Sequence, residues 1–141
     1  MLVVNANVVF SCIMRNKALE LLFQLYDKGV KTISPDFILD EFKENVSKIS
    51  KSSKLSEESV LAFASNLFSE FITIVPKSEY VQFLLEAKGV APHLKDAPYF
   101  ALSLAFDKAP IWSREPRLKR QKVVKVLHDK EVEEYFGLIK S

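Results

Sequence analysis

The chain has 141 residues, 48% hydrophobic and 27% charged, with a formal net charge of +2; this argues against disorder and suits one domain over residues 1–141 with a proper core. A single cysteine, Cys12, rules out an intramolecular disulfide and a cysteine-based metal site, and fits a reducing cytoplasm. No basic region followed by a long apolar segment opens the chain, and no run approaches the roughly 20 apolar residues of a membrane span, so a cytoplasmic protein without membrane contact is expected.

In chain order, Leu2–Val4 is apolar and β-branched, as in a strand buried on both faces. Asn5 and Asn7 then interrupt the apolar run. They either sit at the carboxyl edge of a sheet, where open α/β folds bind ligands, or cap the next helix. That helix runs from Asn7 to about Met14. Asn16 is the expected cap of a second, with Ala18, Leu21, Leu22 and Leu25 at helical spacing and Gly29 as its stop. Val30–Ser34 reads as strand two, and Pro35 as the first residue of a helix striped by Phe37, Ile38, Phe42 and Val46. Ser47–Ser56 is the most polar stretch and reads as a solvated, mobile connection. Ser56, with Glu57 and Glu58, opens the next helix.

Phe71–Val75 is strand three, stopped by Pro76. Ser78 is the expected cap of a helix to about Ala87, ended by Gly89. Asp96 and Pro98 suit the entry of a helix carrying Tyr99, Phe100, Leu102, Ser103 and Phe106, apolar nearly all round and hence buried. Ile111–Ser113 is a short strand. A basic segment, Arg117–Lys122, reads as a helical turn, Val123–Leu127 as the last strand and Asp129–Phe136 as the last helix. No internal repeat is present. Helices alternating with short buried strands imply a three-layer α/β/α fold around a five-stranded parallel sheet.

In such a sheet, residues following neighbouring strands lie close together. Asn5, Glu41, Asp96 and Glu115 could therefore meet in one pocket, and carboxylates without His or Cys suit Mg²⁺ or Mn²⁺. Each residue also has a plainer reading: Glu41 as helix surface, Asp96 as an N-cap, and Glu115 paired with Arg114 or Arg117 at the surface. His93 and His128 read as surface or loop residues, and Cys12 and Trp112 as packing. The basic residues Arg114, Arg117, Lys119, Arg120, Lys122 and Lys125 adjoin Glu115 and are candidate phosphate contacts, with Lys43, Lys48, Lys51 and Lys54 on the other side.

At these residues the chain resembles the PIN domain family, of the single-domain VapC-like ribonuclease kind. Leu2 through Ser11 resembles the opening strand, which normally carries Asp-x-Asn. Ile33-Ser34-Pro35 through Asp40-Glu41-Phe42 resembles the region of the family's Glu. Lys95 through Ala105 resembles its Asp-x-x-x-x-Ala-Leu-Ala helix, and Ala109 through Glu115 the strand ending in Ser/Thr-x-Asp. The resemblance spans nearly the whole chain, with four motifs in order. It implies metal-dependent cleavage of RNA phosphodiesters, commonly by a homodimer. Carried over by position, Glu41 and Asp96 match the family's acids, Glu115 stands at an Asp position, Asn5 at the first acid, Asn7 at the family's Asn and Ser113 at its Ser/Thr.

Asn5 can offer a carbonyl oxygen to a metal but cannot act as a base, and Glu115 reaches about one methylene further than Asp. Three carboxylates instead of four should weaken binding of a divalent ion. The expectation is an RNA-cleaving PIN-like enzyme of reduced or impaired activity. Its alternative is a PIN-fold protein without catalysis that binds RNA or a protein such as an antitoxin-like peptide. A phosphatase or receiver-like domain is weaker, since the Asp expected after strand one is missing.

Overall fold

The computed structural model describes residues 1–138. The five strands are β1 (Leu2–Val4), β2 (Thr32–Pro35), β3 (Ile72–Val75), β4 (Ile111–Trp112) and β5 (Val126–Leu127). They form one sheet in the order β3-β2-β1-β4-β5, with every pairing parallel. β1 is central: Val3 pairs with Ile33 on one side and Ile111 on the other. Leu2, Val3 and Val4 are fully buried, as their unbroken apolar run requires. Ser34, also buried, donates its hydroxyl to the Val4 carbonyl at 2.6 Å and ties β2 to β1.

Among the described residues the helices are α1 (Ala6–Ile13), α2 (Lys17–Asp27), α3 (Phe37–Ser53), α4 (Glu57–Glu70), α5 (Leu84–Val90), α6 (Ala97–Ala105) and α7 (Asp129–Phe136). Helix α1 packs on α2, α3 and α4, and α2 on α7; α5 and α6 pack together, with α6 against β1, β2 and β4. This is the expected α/β/α arrangement. The chain leaves β1 for β2 on one side and reaches β4 on the other. The sheet therefore has its switch point beside β1, where a crevice opens at the carboxyl ends of the strands.

Capping follows the sequence closely at several points. Asn5, Asn16 and Ser56 each accept a hydrogen bond from a first-turn amide of α1, α2 and α4. Gly29 takes a φ of +84°, which lets the chain leave α2 and turn into β2. His128 caps α7 in a capping box with Glu131.

Four local expectations are corrected. Ser47–Ser56 is not a mobile connection: α3 continues through Ser53. Its apolar stripe persists inside the polar run, because Ile49 is 3% exposed and lies a helical step beyond Phe42 and Val46. The serines then serve the helix end: Ser50 donates to the Leu55 carbonyl at 2.6 Å and Ser53 accepts from the Leu55 amide at 3.3 Å. Pro35 does not open α3; it is the last residue of β2, buried opposite Val75, and the helix starts at Phe37. Ser78 does not cap α5. The Tyr80 hydroxyl, on a side chain 2% exposed, donates to Asp36 at 2.5 Å, and the Lys77 amide donates to the same carboxylate at 3.0 Å. These bonds accompany two 3-10 turns, Lys77–Glu79 and Val81–Phe83, and α5 begins only at Leu84 with Gly89 inside it. Finally, β5 is short because Gln121 Oε1 accepts from the amides of Val123 and Val124, folding that segment into a turn.

Candidate functional site

β1 and β4 stay paired to the very edge of the sheet, where the Asn5 amide donates to the Trp112 carbonyl at 3.0 Å. Asn5 is 7% exposed, and its Oδ1 accepts from the Asn7 amide at 3.3 Å. The capping role and the pocket role thus belong to one side chain. Asn7 reaches across the crevice. Its Nδ2 donates to Ser113 Oγ at 3.1 Å and its Oδ1 accepts from the Arg114 amide at 3.0 Å. Ser113 Oγ in turn accepts from the Glu115 amide at 3.1 Å. Asn7 and Ser113 thereby fix the exit from β4 that carries Glu115.

Asp96 precedes α6 and is 5% exposed, but its carboxylate makes no capping bond. It faces Arg117, whose Nη2 donates to Oδ1 at 3.1 Å and Oδ2 at 3.3 Å. The other arm of the same guanidinium, Nη1, donates to Glu115 Oε2 at 2.6 Å. Arg117 stands on a 3-10 turn, Pro116–Arg120, anchored by the fully buried Leu118. Glu41, on α3, accepts a short hydrogen bond from the hydroxyl of Tyr99. Tyr99 is 1% exposed and lies one helical turn beyond Asp96.

Asn5, Asn7, Glu41, Asp96 and Glu115 line one open cleft of about 500 Å³, together with Phe10, His93, Lys95, Tyr99 and Arg117. Burial pushes the Glu41 carboxyl above its usual range, against the pull of the Tyr99 hydrogen bond and the Lys95 charge. Burial likewise raises the Asp96 carboxyl, and the attraction of Arg117 offsets this only in part. Tyr99 is held well above the ordinary tyrosine value by burial and by Glu41.

The basic candidates fall in different places. Arg117 lies inside the acid cluster. Arg114 forms a forked ion pair with Asp129, 2.5 Å at its shortest, and donates to Ser11 Oγ at 2.8 Å. Trp112 also donates to Asp129, at 2.9 Å, so this strand residue is packing with a hydrogen-bonded tip. Lys119 pairs with Glu131, and Arg120 is exposed.

Sequence reasoning missed Tyr99, His93 and Lys95 as cleft residues. The spacing of Asp96 and Tyr99 on one helix face could have revealed the first. His93 is an exposed loop residue as expected, but it borders the cleft, with its Nδ1 accepting from the Lys95 amide at 3.2 Å.

A sequence profile described as PIN domain matches residues 3–136. The chain belongs to the PIN domain family. No curated protein matches it. Among solved structures it is similar to a chain of the crystal structure of VapBC2 from Rickettsia felis bound to a DNA fragment from their promoter. The TM-score is 0.67 at 18% identity, covering 90% of this chain and 97% of the other. The five-stranded parallel fold is therefore that of a PIN domain.

The oxygen donors of this PIN domain suit a hard divalent ion in kind. Their arrangement does not fit one as it stands. Among the described residues, no three His, Cys, Asp or Glu side chains are gathered into a group that could hold a metal. The guanidinium of Arg117 bridges Asp96 and Glu115, and Glu41 is engaged by Tyr99. Among the described residues, no helix is long and apolar enough to cross a membrane.

Proposed function

We propose that this PIN-domain protein is an RNA-directed endoribonuclease of low activity, dependent on weakly bound Mg²⁺ or Mn²⁺. The observation that carries the reading is the convergence of Asn5, Glu41, Asp96 and Glu115 on one cleft at the switch point of the sheet. The roles we assign to this chain's residues are positional. Asn7 and Ser113 fix the β4 exit, Tyr99 orients Glu41, and Lys95 and Arg120 offer positive charge to RNA phosphates.

A second reading is supported by the neutral Asn5 and by the ion pair that already occupies Asp96. In it, the protein has lost catalysis and binds RNA or a protein partner of the antitoxin kind. The family and the VapBC neighbour support a protein partner as part of either reading, and a homodimer accompanies the family resemblance. RNA cleavage in Mn²⁺ separates the two readings. The first expects slow cleavage by the natural protein, abolished in Asp96→Asn and accelerated in Asn5→Asp. A natural protein that binds RNA but never cuts it, with activity gained only in Asn5→Asp, would establish the second.

A further inference from the structure

The acid cluster is not electrostatically open. Asp96, with its side chain 7% exposed, could not remain charged there without a partner except at high cost. Arg117 supplies that partner and spends its other arm on Glu115, whose side chain is 44% exposed. A planar, permanently charged fork suits two carboxylates at once in a way that an ammonium does not. The cleft also lacks the negative charge that an acid at position 5 would have added. Counting Glu41, Asp96 and Glu115 against Lys95 and Arg117, its lining carries about one net negative charge with no metal present. The Arg117 side chain is itself 38% exposed, so it borders solvent and has a path out of the cluster.

We propose that Arg117 is an in-chain cation standing in for a divalent ion between Asp96 and Glu115, so that a metal enters this cleft only in competition with the guanidinium. The position matters as much as the charge. Leu118 anchors the turn, and Glu115 directly precedes it, two residues before Arg117, so the turn itself holds the fork against both acids. Lys95 lines the same cleft but pairs with Glu44, at 3.9 Å, and so serves as an internal comparison.

The proposal rests on reading this cleft as the PIN-type acid site, but its test needs no RNA. Mn²⁺ binding to the intact protein is followed by loss of the free-ion electron spin resonance signal. Arg117→Met keeps the apolar stem and removes the fork; it should bind Mn²⁺ at least tenfold more tightly than the natural protein. Lys95→Met removes the same charge from the same cleft without opening the acid pair, and should gain clearly less. Equal gains in both variants would reduce the effect to general electrostatics and overturn the proposal, as would no gain in Arg117→Met. If Arg117→Met does not fold, Arg117→Lys takes its place: an ammonium cannot fork to both acids, so a gain is again expected, and affinity equal to that of the natural protein refutes the idea. Failure here leaves the cleavage experiment untouched. Absence of cleavage by the natural protein would remove the ribonuclease reading while leaving the metal competition measurable.

Discussion

At the scale of single residues, burial decides reactivity more than residue type does. Cys12 is fully buried on α1, and burial pushes its thiol up to about 12, with a smaller opposing pull from Arg114. It should resist a thiol reagent in the native protein at pH 8 and react only on unfolding, which an absorbance assay with and without denaturant would show. Glu41 makes a pH-dependent prediction. Its carboxyl is raised in the fold, so the native state holds the proton more firmly than the unfolded chain does. Stability is therefore lost as pH rises from the ordinary carboxylate range through the raised value, and the cost is complete at neutral pH. Glu41→Gln should melt higher than the natural protein at pH 7, and the difference should close near pH 3, where both states are protonated. Asp129 behaves in the opposite sense: burial raises its carboxyl, but hydrogen bonds from Arg114 and Trp112 outweigh this and hold it below the usual range. Its contribution is present above the unfolded-state value and is lost as pH falls through the lowered one. Arg114→Ala should therefore cost about 1–2 kcal/mol of stability after allowance for solvent screening, measured by urea denaturation at pH 7. RNA affinity should change less than in Arg120→Ala, since Arg114 is already paired.

At the scale of elements, α3 shows where reading by composition fails. Its second half is mostly serine and lysine, and such a stretch resembles a linker. One buried isoleucine at the right step keeps the helix on its neighbours, and tertiary packing overrides the weak local preference. Truncation of Ile49 to alanine is expected to cost about 2–4 kcal/mol, whereas Lys51→Ala, on the exposed face, should stay within roughly 0.5 kcal/mol of the natural protein. Amide exchange offers an independent check: protection through residues 47–53 supports the helix, and free exchange there would contradict it. Pro35 and Ser78 misled for a related reason. A proline suits the end of a strand as well as the first turn of a helix. A serine caps only where the chain can turn into a helix, and the Tyr80–Asp36 bond instead accompanies 3-10 turns at that point.

At the scale of the whole molecule, the sheet sets the position of the cleft and the charge balance within it limits what it can hold. Restoring an acid with Asn5→Asp adds a fourth carboxylate to a pocket that already raises two. Without metal, the variant should melt roughly 2–5 °C lower at neutral pH, and Mn²⁺ should raise its melting temperature more than that of the natural protein. Equal metal-induced shifts in the two proteins would count against Asn5 as the residue that weakens binding. The parallel α/β layout, the centrality of Leu2–Val4 and the grouping of Asn5, Glu41, Asp96 and Glu115 were all legible in the chain. Apolar runs, caps and element order are local signals, and a parallel sheet brings its strand ends together by topology alone. The pairing of Glu115 with Arg117 was among the plainer readings of the chain, but the partners of Asp96 and Glu41 were not legible. Arg117 looked like one of several basic residues beside Glu115, and its reach to Asp96, 21 positions away, depends on where the turn after β4 lies against the start of α6. Sequence determined that Asn5, Glu41, Asp96 and Glu115 gather at the sheet edge, because secondary-structure order fixes direction. Only the tertiary structure decided that a guanidinium lies between two of them, because side-chain reach across the cleft depends on packing that no local pattern encodes.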